Sequence, residues 1–433
     1  MNTNPIDTLR ARGFIDDITD EAGLREALDT STVTYYVGFD PTAESLHIGN
    51  LVGMMAMAHL QRAGHRPIAI AGGATGRIGD PSGRDAEREL LGEEHLERNL
   101  AGIRRDLGRV IDLGGDPDDR DFSPGILVDN FDWTRDVSFL DFLRDIGKHF
   151  SVNAMIAKES VKRRLDEREH GISFTEFAYQ LLQAFDFAVL YQRYGCTLQG
   201  GGSDQWGNIT AGIDLTRKLH GRRVFGLTWP LIERSDGKKF GKSTGNAVWL
   251  DPELTSPYAY YQWFLNVPDD DVVRFLKLYT FLELDEIAEL ERSLHDDPAA
   301  REAHRALARD AARLIHGDDA VAGAERAAAV LFGKEPFTGM DDRVLADAFA
   351  EAPSVEIGRG RLDVGIGLLE LLVEVGAAAS NAEARRLVQQ GGVSLNNAVV
   401  GDPQATVGPD DLASPSMLVV RVGKKRYHLA KFV

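Results

Sequence analysis

Cysteine is nearly missing from this chain: Cys196 is the only one in 433 residues. An internal disulfide and a cysteine-ligated zinc site are both excluded, which fits a reducing compartment. Positive charge is also short, with 49 Lys and Arg against 67 Asp and Glu for a net charge of -18. Such a chain cannot coat nucleic acid with its whole surface, so any contact must use a local basic patch. No apolar run reaches membrane-spanning length, and the opening MNTNPIDTLRARGFIDD lacks the apolar core of a signal peptide. A cytoplasmic protein with no membrane partner is expected. Internal repeats and low-complexity tracts are absent. Two phosphate-binding signatures fail as well. GGATGRIGDPSG, residues 72–83, lacks the G-x-G-x-x-G spacing of a dinucleotide site. SDGKKFGKS, residues 235–243, resembles a Walker A loop, but three residues separate Gly237 from Gly241 where four are needed. The next residues, TGNAVWLD, read as loop and strand rather than helix, which rejects a P-loop NTPase.

What is there reads as an α/β protein of two to three domains. Residues 33–39 are β-branched and aromatic. Residues 47–64 put Ile48, Leu51, Met54, Met55 and Ala58 on one helical face. PIAIAG (67–72) and the run from Val224 to Ile232 read as further strands, with helical patterns between. Alternation of this kind predicts a parallel sheet covered on both faces. From about 255 to 330 the pattern turns helical, and Pro298 and Gly317 bracket one helix. Residues 331–362 read as a linker. Residues 363–433 read as a small α+β unit with helices at Leu368–Val375 and Ala382–Gln390 and a turn at Gly391 and Gly392. The domain boundaries expected are therefore 1–245, 246–330, 331–362 and 363–433.

Ligands of an open parallel sheet bind beyond the carboxyl ends of its strands. FDPTAESLHIGN, residues 39–50, is such an end, and the helix after it would offer free backbone N–H groups and a positive dipole to phosphate. His47 adds a donor, and Gly49 removes a side chain where a flat base could lie; a surface histidine and a packing glycine are the plain alternative. Asp80, after a run of glycines, could hold an ammonium group, unless the loop is a simple turn. In FTEFAYQLLQAFDF (174–187), Tyr179, Gln183 and Asp186 fall at i, i+4 and i+7 on one face of an otherwise apolar helix. Buried polar groups need partners, so this stripe is either a pocket wall or an internal hydrogen-bond network. GGSDQWGN (201–208) ends another strand, and Asp204 there could accept from ribose hydroxyls or act only in a helix cap. The lysines of 235–243 suit a phosphate clamp or a solvated loop.

Together these segments resemble a bacterial-type tyrosyl-tRNA synthetase, a class I aminoacyl-tRNA synthetase. The resemblance spans nearly the whole chain. It rests on DPTAESLHIGN (the HIGH signature), GGATGRIGDPSG, GKHFSVN, GISFTEFAYQLLQAFDF, GGSDQWGNITAG, KFGKS (the KMSKS signature), LIHG and GKKRYHLAKF. It implies a Rossmann-like catalytic domain over 1–245, a helical anticodon-binding domain over 246–330 and, over 363–433, an RNA-binding domain like that of ribosomal protein S-four. It also implies a homodimer acting on L-tyrosine, ATP and the tRNA for tyrosine.

By matched position, Tyr36 and Asp186 would hold the tyrosine phenol. Tyr179, Gln183 and Asp80 would take its ammonium group, and Gln205 would lie near its carboxylate. The ATP site would draw on Gly38, Asp40, Gly49, Asn50, Asp204, Lys242 and Ser243. Thr42, His47, Lys239 and Lys242 would be catalytic, contacting the departing phosphates. Asn50 departs from the pattern, since the last HIGH position is usually His. Arg84 and Arg88 sit where the family often has basic residues and are not assigned. Mg²⁺ would accompany ATP, with no dedicated protein metal site and no tightly held cofactor. The tyrosine carboxylate is already an anion at pH 7, so no general base is required. Residues 361–433 hold eight Lys and Arg against seven Asp and Glu, about +1, which leaves -19 on the preceding residues. Arg421, Lys424, Lys425 and Arg426 form an acid-free patch suited to tRNA. A small-molecule nucleotidylyltransferase shares the HIGH-type stretch, but would not explain the phenol-plus-ammonium pocket or the basic module. A non-catalytic RNA-binding relative would not need His47, Lys239 and Lys242.

Overall fold

The β-branched and aromatic run at 33–39 forms strand β2 (Thr34–Phe39), and the alternating pattern of strands and helices yields one six-stranded sheet. Its other strands are β1 (Asp17–Ile18), β3 (Arg66–Ala71), β4 (Ile126–Asp129), β5 (Leu198–Gly202) and β6 (Phe225–Trp229), in the order β1-β6-β5-β2-β3-β4. All neighbours run parallel except β1, which pairs antiparallel with β6 at the edge. Tyr36 lies beside Ile68 on one side and Gln199 on the other, so β2 sits at the centre. Five of the six β2 residues are buried; Gly38 is exposed, and a Cβ there would meet nothing within 4 Å. The computed structural model describes residues 4–82, 92–158, 161–162, 165, 172–232, 235, 247–332, 336–350, 352–423 and 426–433.

Helix boundaries are set by their caps. The helix Phe174–Tyr194 starts where Ser173 accepts from the Glu176 N–H and stops at Gly195, which is left-handed at φ 65°. Ser and Gly are the residues these two positions favour. Helix Ile48–Arg62 is capped by His47, and most of its residues are buried. One expected helix is broken: Pro298–Ala300 is a 3-10 turn, Arg301 takes φ 50°, and the α-helix proper is Glu302–His316. Among the described residues no helix is long and apolar enough to cross a membrane.

The chain separates into two compact units. The first comprises residues up to Leu254 together with Leu265–Ile315, and the second Thr255–Phe264 with His316–Val433. The stretch 246–330 is therefore divided between them. Helix Asp269–Tyr279 belongs with the sheet unit because it buries Val272, Phe275, Leu276 and Tyr279 there, and the Arg12 guanidinium donates to the Thr280 carbonyl at 3.0 Å.

The second unit corrects the linker reading of 331–362. Those residues include the helix Asp342–Ala348 and the strand Ser354–Ile357. That strand pairs parallel with Arg426–Phe432 and completes a five-stranded sheet. Flanking Pro353 and Gly358 make it read as loop. Its pairing is set by a partner about seventy residues further on, which local pattern does not reveal. Helices Leu368–Glu374 and Asn381–Gln389 cover this sheet, with Leu368, Leu371, Leu372, Ala384 and Val388 in the core.

Candidate active site

At the carboxyl ends of β2, β3 and β5 lies a cavity of about 450 Å³. Tyr36, Gly38, Asp40, Thr42, His47, Gly49, Asn50, Asp80, Tyr179, Gln183, Asp186, Asp204 and Gln205 all line it. Thus every candidate tyrosine and ATP residue among the described residues meets at one place. Lys239, Lys242, Ser243, Lys424 and Lys425 lie outside the described residues, as do Arg84 and Arg88. Arg421 and Arg426 belong to the second unit: Arg426 is exposed, and the part-buried Arg421 guanidinium donates to Ser394 Oγ at 3.4 Å.

The deep end is built on the stripe of helix Phe174–Tyr194. Asp186 is almost fully buried, and both its oxygens are engaged. Asn130 Nδ2 donates to Oδ2 at 3.0 Å and Trp133 Nε1 to Oδ1 at 2.8 Å. Burial raises the Asp186 carboxyl from 3.8 to about 7, against the pull of those two donors. Beside it, the Tyr36 hydroxyl is buried without a hydrogen-bond partner among the described residues. Burial and the Asp186 charge push its pKa well above 10. An unpaired buried hydroxyl costs about 1–3 kcal/mol, so this corner of the cavity calls for a polar guest.

A hydrogen-bonded chain links that corner to the mouth. Asn130 Nδ2 also reaches Thr75 Oγ1 at 3.0 Å, and the Ala74 N–H donates to Asn130 Oδ1 at 2.7 Å. Thr75 Oγ1 donates to Asp40 Oδ1 at 2.9 Å, and Tyr179 Oη donates to Asp40 Oδ2 at 3.1 Å. Gly72 permits this closure, because a Cβ there would stand 2.6 Å from both Asp40 Oδ1 and Thr75 Oγ1. On the facing side, Gln205 Nε2 donates to Asp80 Oδ2 at 2.5 Å, and the Ser82 N–H donates to Asp80 Oδ1 at 2.9 Å. Asn208 Nδ2 donates to Gln205 Oε1 at 3.2 Å.

Sequence reasoning missed Asn130, Trp133, Thr75 and Asn208. Asn130 and Trp133 lie more than fifty residues from Asp186, in a segment, NFDW, with no motif of its own. Asn208 falls inside a singled-out loop, and its i, i+3 spacing from Gln205 was a usable signal.

The mouth carries one correction. The first N–H groups of helix Ile48–Arg62 are not free for phosphate. The Ile48 N–H donates to the Val248 carbonyl at 3.1 Å, the Gly49 N–H to His47 Nδ1 at 3.0 Å and the Asn50 N–H to the His47 carbonyl at 2.8 Å. A segment distant in sequence, 248–250, fills the helix end. Anionic ligand must therefore be met by side chains. His47 is fitted for that. Its Nδ1 accepts a hydrogen bond, so the proton of the neutral ring is on Nε2, and burial lowers its pKa from 6.5. Gly49 is needed for this cap, since a Cβ there would lie 2.8 Å from the His47 ring. Asn50 Oδ1 accepts from the His47 N–H at 3.1 Å, which leaves its Nδ2 as the donor.

Residues 28–333 match the family model of tRNA synthetases class I (W and Y), and residues 345–430 match that of the tyrosine–tRNA ligase SYY-like C-terminal domain. The tyrosine–tRNA ligase of Opitutus terrae is 48% identical over 99% of both chains. That of Roseiflexus castenholzii is 46% identical over 100% of both. Among solved structures, a C-terminally truncated mitochondrial tyrosyl-tRNA synthetase of Aspergillus nidulans superposes with a TM-score of 0.68 at 31% identity, covering 76% of this chain and 94% of that one.

Proposed function

The chain belongs to the class I tRNA synthetases for tryptophan and tyrosine and catalyses the ATP-dependent joining of tyrosine to tRNA, and from that premise we propose how its residues divide the work. The phenol of the substrate occupies the corner of Tyr36 and Asp186. Asp186 accepts from the phenol O–H, and Tyr36 donates to its oxygen. The unpaired Tyr36 hydroxyl beside a buried carboxylate is the observation that carries this reading. The ammonium group is met by Asp80, Gln183 and the oxygen of Tyr179, and the carboxylate lies by Gln205.

ATP takes the outer half. Gly38, Asp40, Gly49 and Asn50 bound it, and Asp204 accepts from ribose. The tyrosine carboxylate attacks the α-phosphorus, a P–O bond forms, and pyrophosphate departs with its electron pair. His47 donates from Nε2 to a phosphate oxygen, Thr42 donates beside it, and Lys239, Lys242 and Ser243 complete the clamp. Catalysis then rests on positioning and on stabilising charge that grows on phosphate. Mg²⁺ bound with the nucleotide would neutralise phosphate charge. The donor set agrees with that: Asp40 and Asp80 already accept hydrogen bonds from protein groups. A hydroxyl of the terminal adenosine of tRNA then attacks the tyrosyl carbonyl carbon, an ester C–O bond forms, and AMP departs with the electrons of the broken acyl–phosphate C–O bond.

The test is pyrophosphate exchange into ATP with each of the twenty amino acids in turn. Exchange supported by tyrosine alone is expected; equal exchange with phenylalanine would remove the phenol assignment.

Residues 246–330 are proposed to meet the anticodon, and Arg421, Lys424, Lys425 and Arg426 to contact tRNA phosphates. Replacing Lys424, Lys425 and Arg426 by alanine should weaken tRNA binding and flatten its slope against log salt, by about 0.9 per lost duplex contact. Tyrosine activation should not change. A salt series read by filter binding beside an exchange assay checks both halves.

A homodimer is proposed from the sheet unit. Phe139 (66% exposed), Leu140 (76%) and Phe174 (69%) are large apolar side chains left open, with Val152 and Ile156 also exposed. Large apolar side chains left exposed on the described residues of this unit are of the kind that association surfaces use. Replacing Phe139 and Leu140 by glutamate should halve the mass measured by sedimentation equilibrium; an unchanged mass removes this surface as the interface. A cytoplasmic setting completes the proposal.

A further inference from the structure

Away from the cavity, helix Glu93–Leu107 runs against the segment that leads into His47. At Gly102 an added Cβ would stand 1.8 Å from the Glu44 carbonyl oxygen, so the helix touches the chain there with no room for a side chain. One turn later, on the same face, comes Asp106, with no exposed surface at all. Its Oδ2 accepts from Ser45 Oγ at 2.7 Å and from the Leu46 N–H at 2.9 Å. Arg109 and Arg105 stand 3.5 and 3.8 Å from Oδ1. Ser45 Oγ in turn accepts from the Asp251 N–H at 3.1 Å. The Leu250 N–H donates to the Leu46 carbonyl at 2.8 Å, and His47 pairs with Trp249, their rings 5.9 Å apart. Arg105 binds the Asp251 carboxylate, and Arg109 binds the Leu250 carbonyl.

Among the described residues the hydrogen bonds of His47 itself are short-range, to Gly49, Asn50 and Leu51. They fix the ring relative to its own helix. Where Nε2 stands relative to the cavity depends on the backbone that enters at Ser45 and Leu46. Asp106 holds that backbone, and through Ser45 the same carboxylate holds the segment 248–251 against it. None of these groups is at the cavity: Ser45, Leu46, Gly102 and Asp106 are not among its lining residues.

We propose that Asp106, seated by Gly102, is a positioning residue for the adenylation step, acting through Ser45 and Leu46 to place His47 Nε2 against the phosphates. The proposal rests on the phosphate role proposed for His47. A displacement of a reacting group by about 1 Å can cost on the order of a hundredfold in rate. A loosened rather than lost anchor should cost less.

The experiment is a double-mutant cycle in the full-length protein. Asp106→Asn keeps the shape and removes the charge that accepts from two donors. It should lower kcat for adenylate formation by about tenfold to thirtyfold, with tyrosine Kd within about twofold of the parent. Introduced into His47→Gln, the same substitution should have almost no further effect, because the group it places is already gone. If the two losses multiply, Asp106 does not act through His47 and the proposal is overturned. It is equally overturned if tyrosine affinity falls in step with kcat, the mark of general disturbance. Should Asp106→Asn not fold, Ser45→Ala removes one link of the same chain, and its smaller rate loss must likewise vanish in the His47→Gln background. An unchanged rate in His47→Gln alone would overturn the His47 assignment itself, and the positioning role with it.

Discussion

Asp186→Ala should lower kcat/KM for tyrosine activation by about a thousandfold, roughly 4 kcal/mol. The loss has two parts. The phenol forfeits a hydrogen bond to a charged acceptor, worth about 1.5–3 kcal/mol. Asn130 Nδ2 and Trp133 Nε1 also lose the acceptor that both now share. Selectivity should fall together with rate. A pocket that must hydrogen-bond a hydroxyl rejects the analogue lacking it by about 10⁴–10⁵, a figure that itself comes from tyrosyl-tRNA synthetases. With Asp186 gone, phenylalanine leaves one fewer buried group unmatched, so the tyrosine-to-phenylalanine ratio should collapse. Pyrophosphate exchange with both amino acids measures it. Normal tyrosine activation in this variant would place the pocket elsewhere.

The same carboxylate should make the empty fold less stable. Burial raises Asp186 from 3.8 to about 7, so between those values the native state holds a proton that the unfolded chain has released. Stability contributed by this group therefore falls as pH rises from about 4 to about 7 and stays low above. Asp186→Asn should accordingly flatten the fall of Tm between about pH 4 and pH 8, since the group that titrates is gone, while still impairing activation; a Tm that falls with pH as in the parent would show that Asp186 is not its source.

The parts of this molecule that could be read from sequence are those whose signal is local. The stripe Tyr179, Gln183 and Asp186 is visible because a helix repeats every 3.6 residues, and it does line the cavity. Strand ends rich in Gly and Asp are visible because few other residues suit such turns. The partners of those groups are not local. Asn130 and Trp133 reach Asp186 from the turn after β4 and from the short helix Phe131–Thr134, and nothing in NFDW announces that. The supposed free helix end at His47 failed for the same reason: residues 248–250, two hundred positions away, had already taken its Ile48 N–H and covered it. Strand Ser354–Ile357 was hidden because a four-residue edge strand between Pro and Gly is indistinguishable from a loop until its partner is known.

Lys242→Ala should lower kcat for adenylate formation by about 10²–10³, or roughly 3–4 kcal/mol, while tyrosine Kd stays nearly constant. Lys242 lies outside the described residues, so its role is read from the sequence and from the two flanks. On the entry side, Leu231 and Ile232 line the cavity, and the N–H and hydroxyl of Ser235 both donate to Asp271 Oδ2 at 2.9 Å. On the exit side, the Val248 carbonyl accepts from the Ile48 N–H, and Trp249 pairs with His47. The described residues that flank Lys239 and Lys242 in sequence thus lie at the cavity wall on one side and at the mouth of the His47 helix on the other. In the proposed arrangement tyrosine occupies the deep corner and makes no demand on these lysines. The phosphates do, and most strongly when negative charge accumulates on departing pyrophosphate. An interaction made chiefly in the transition state lowers kcat and kcat/KM together and leaves ground-state affinity alone. Stopped-flow measurement of adenylate formation across a tyrosine titration separates the two constants. Weakened tyrosine binding with an unaltered rate of adenylate formation would show that Lys242 belongs to the amino-acid pocket and not to the phosphate clamp.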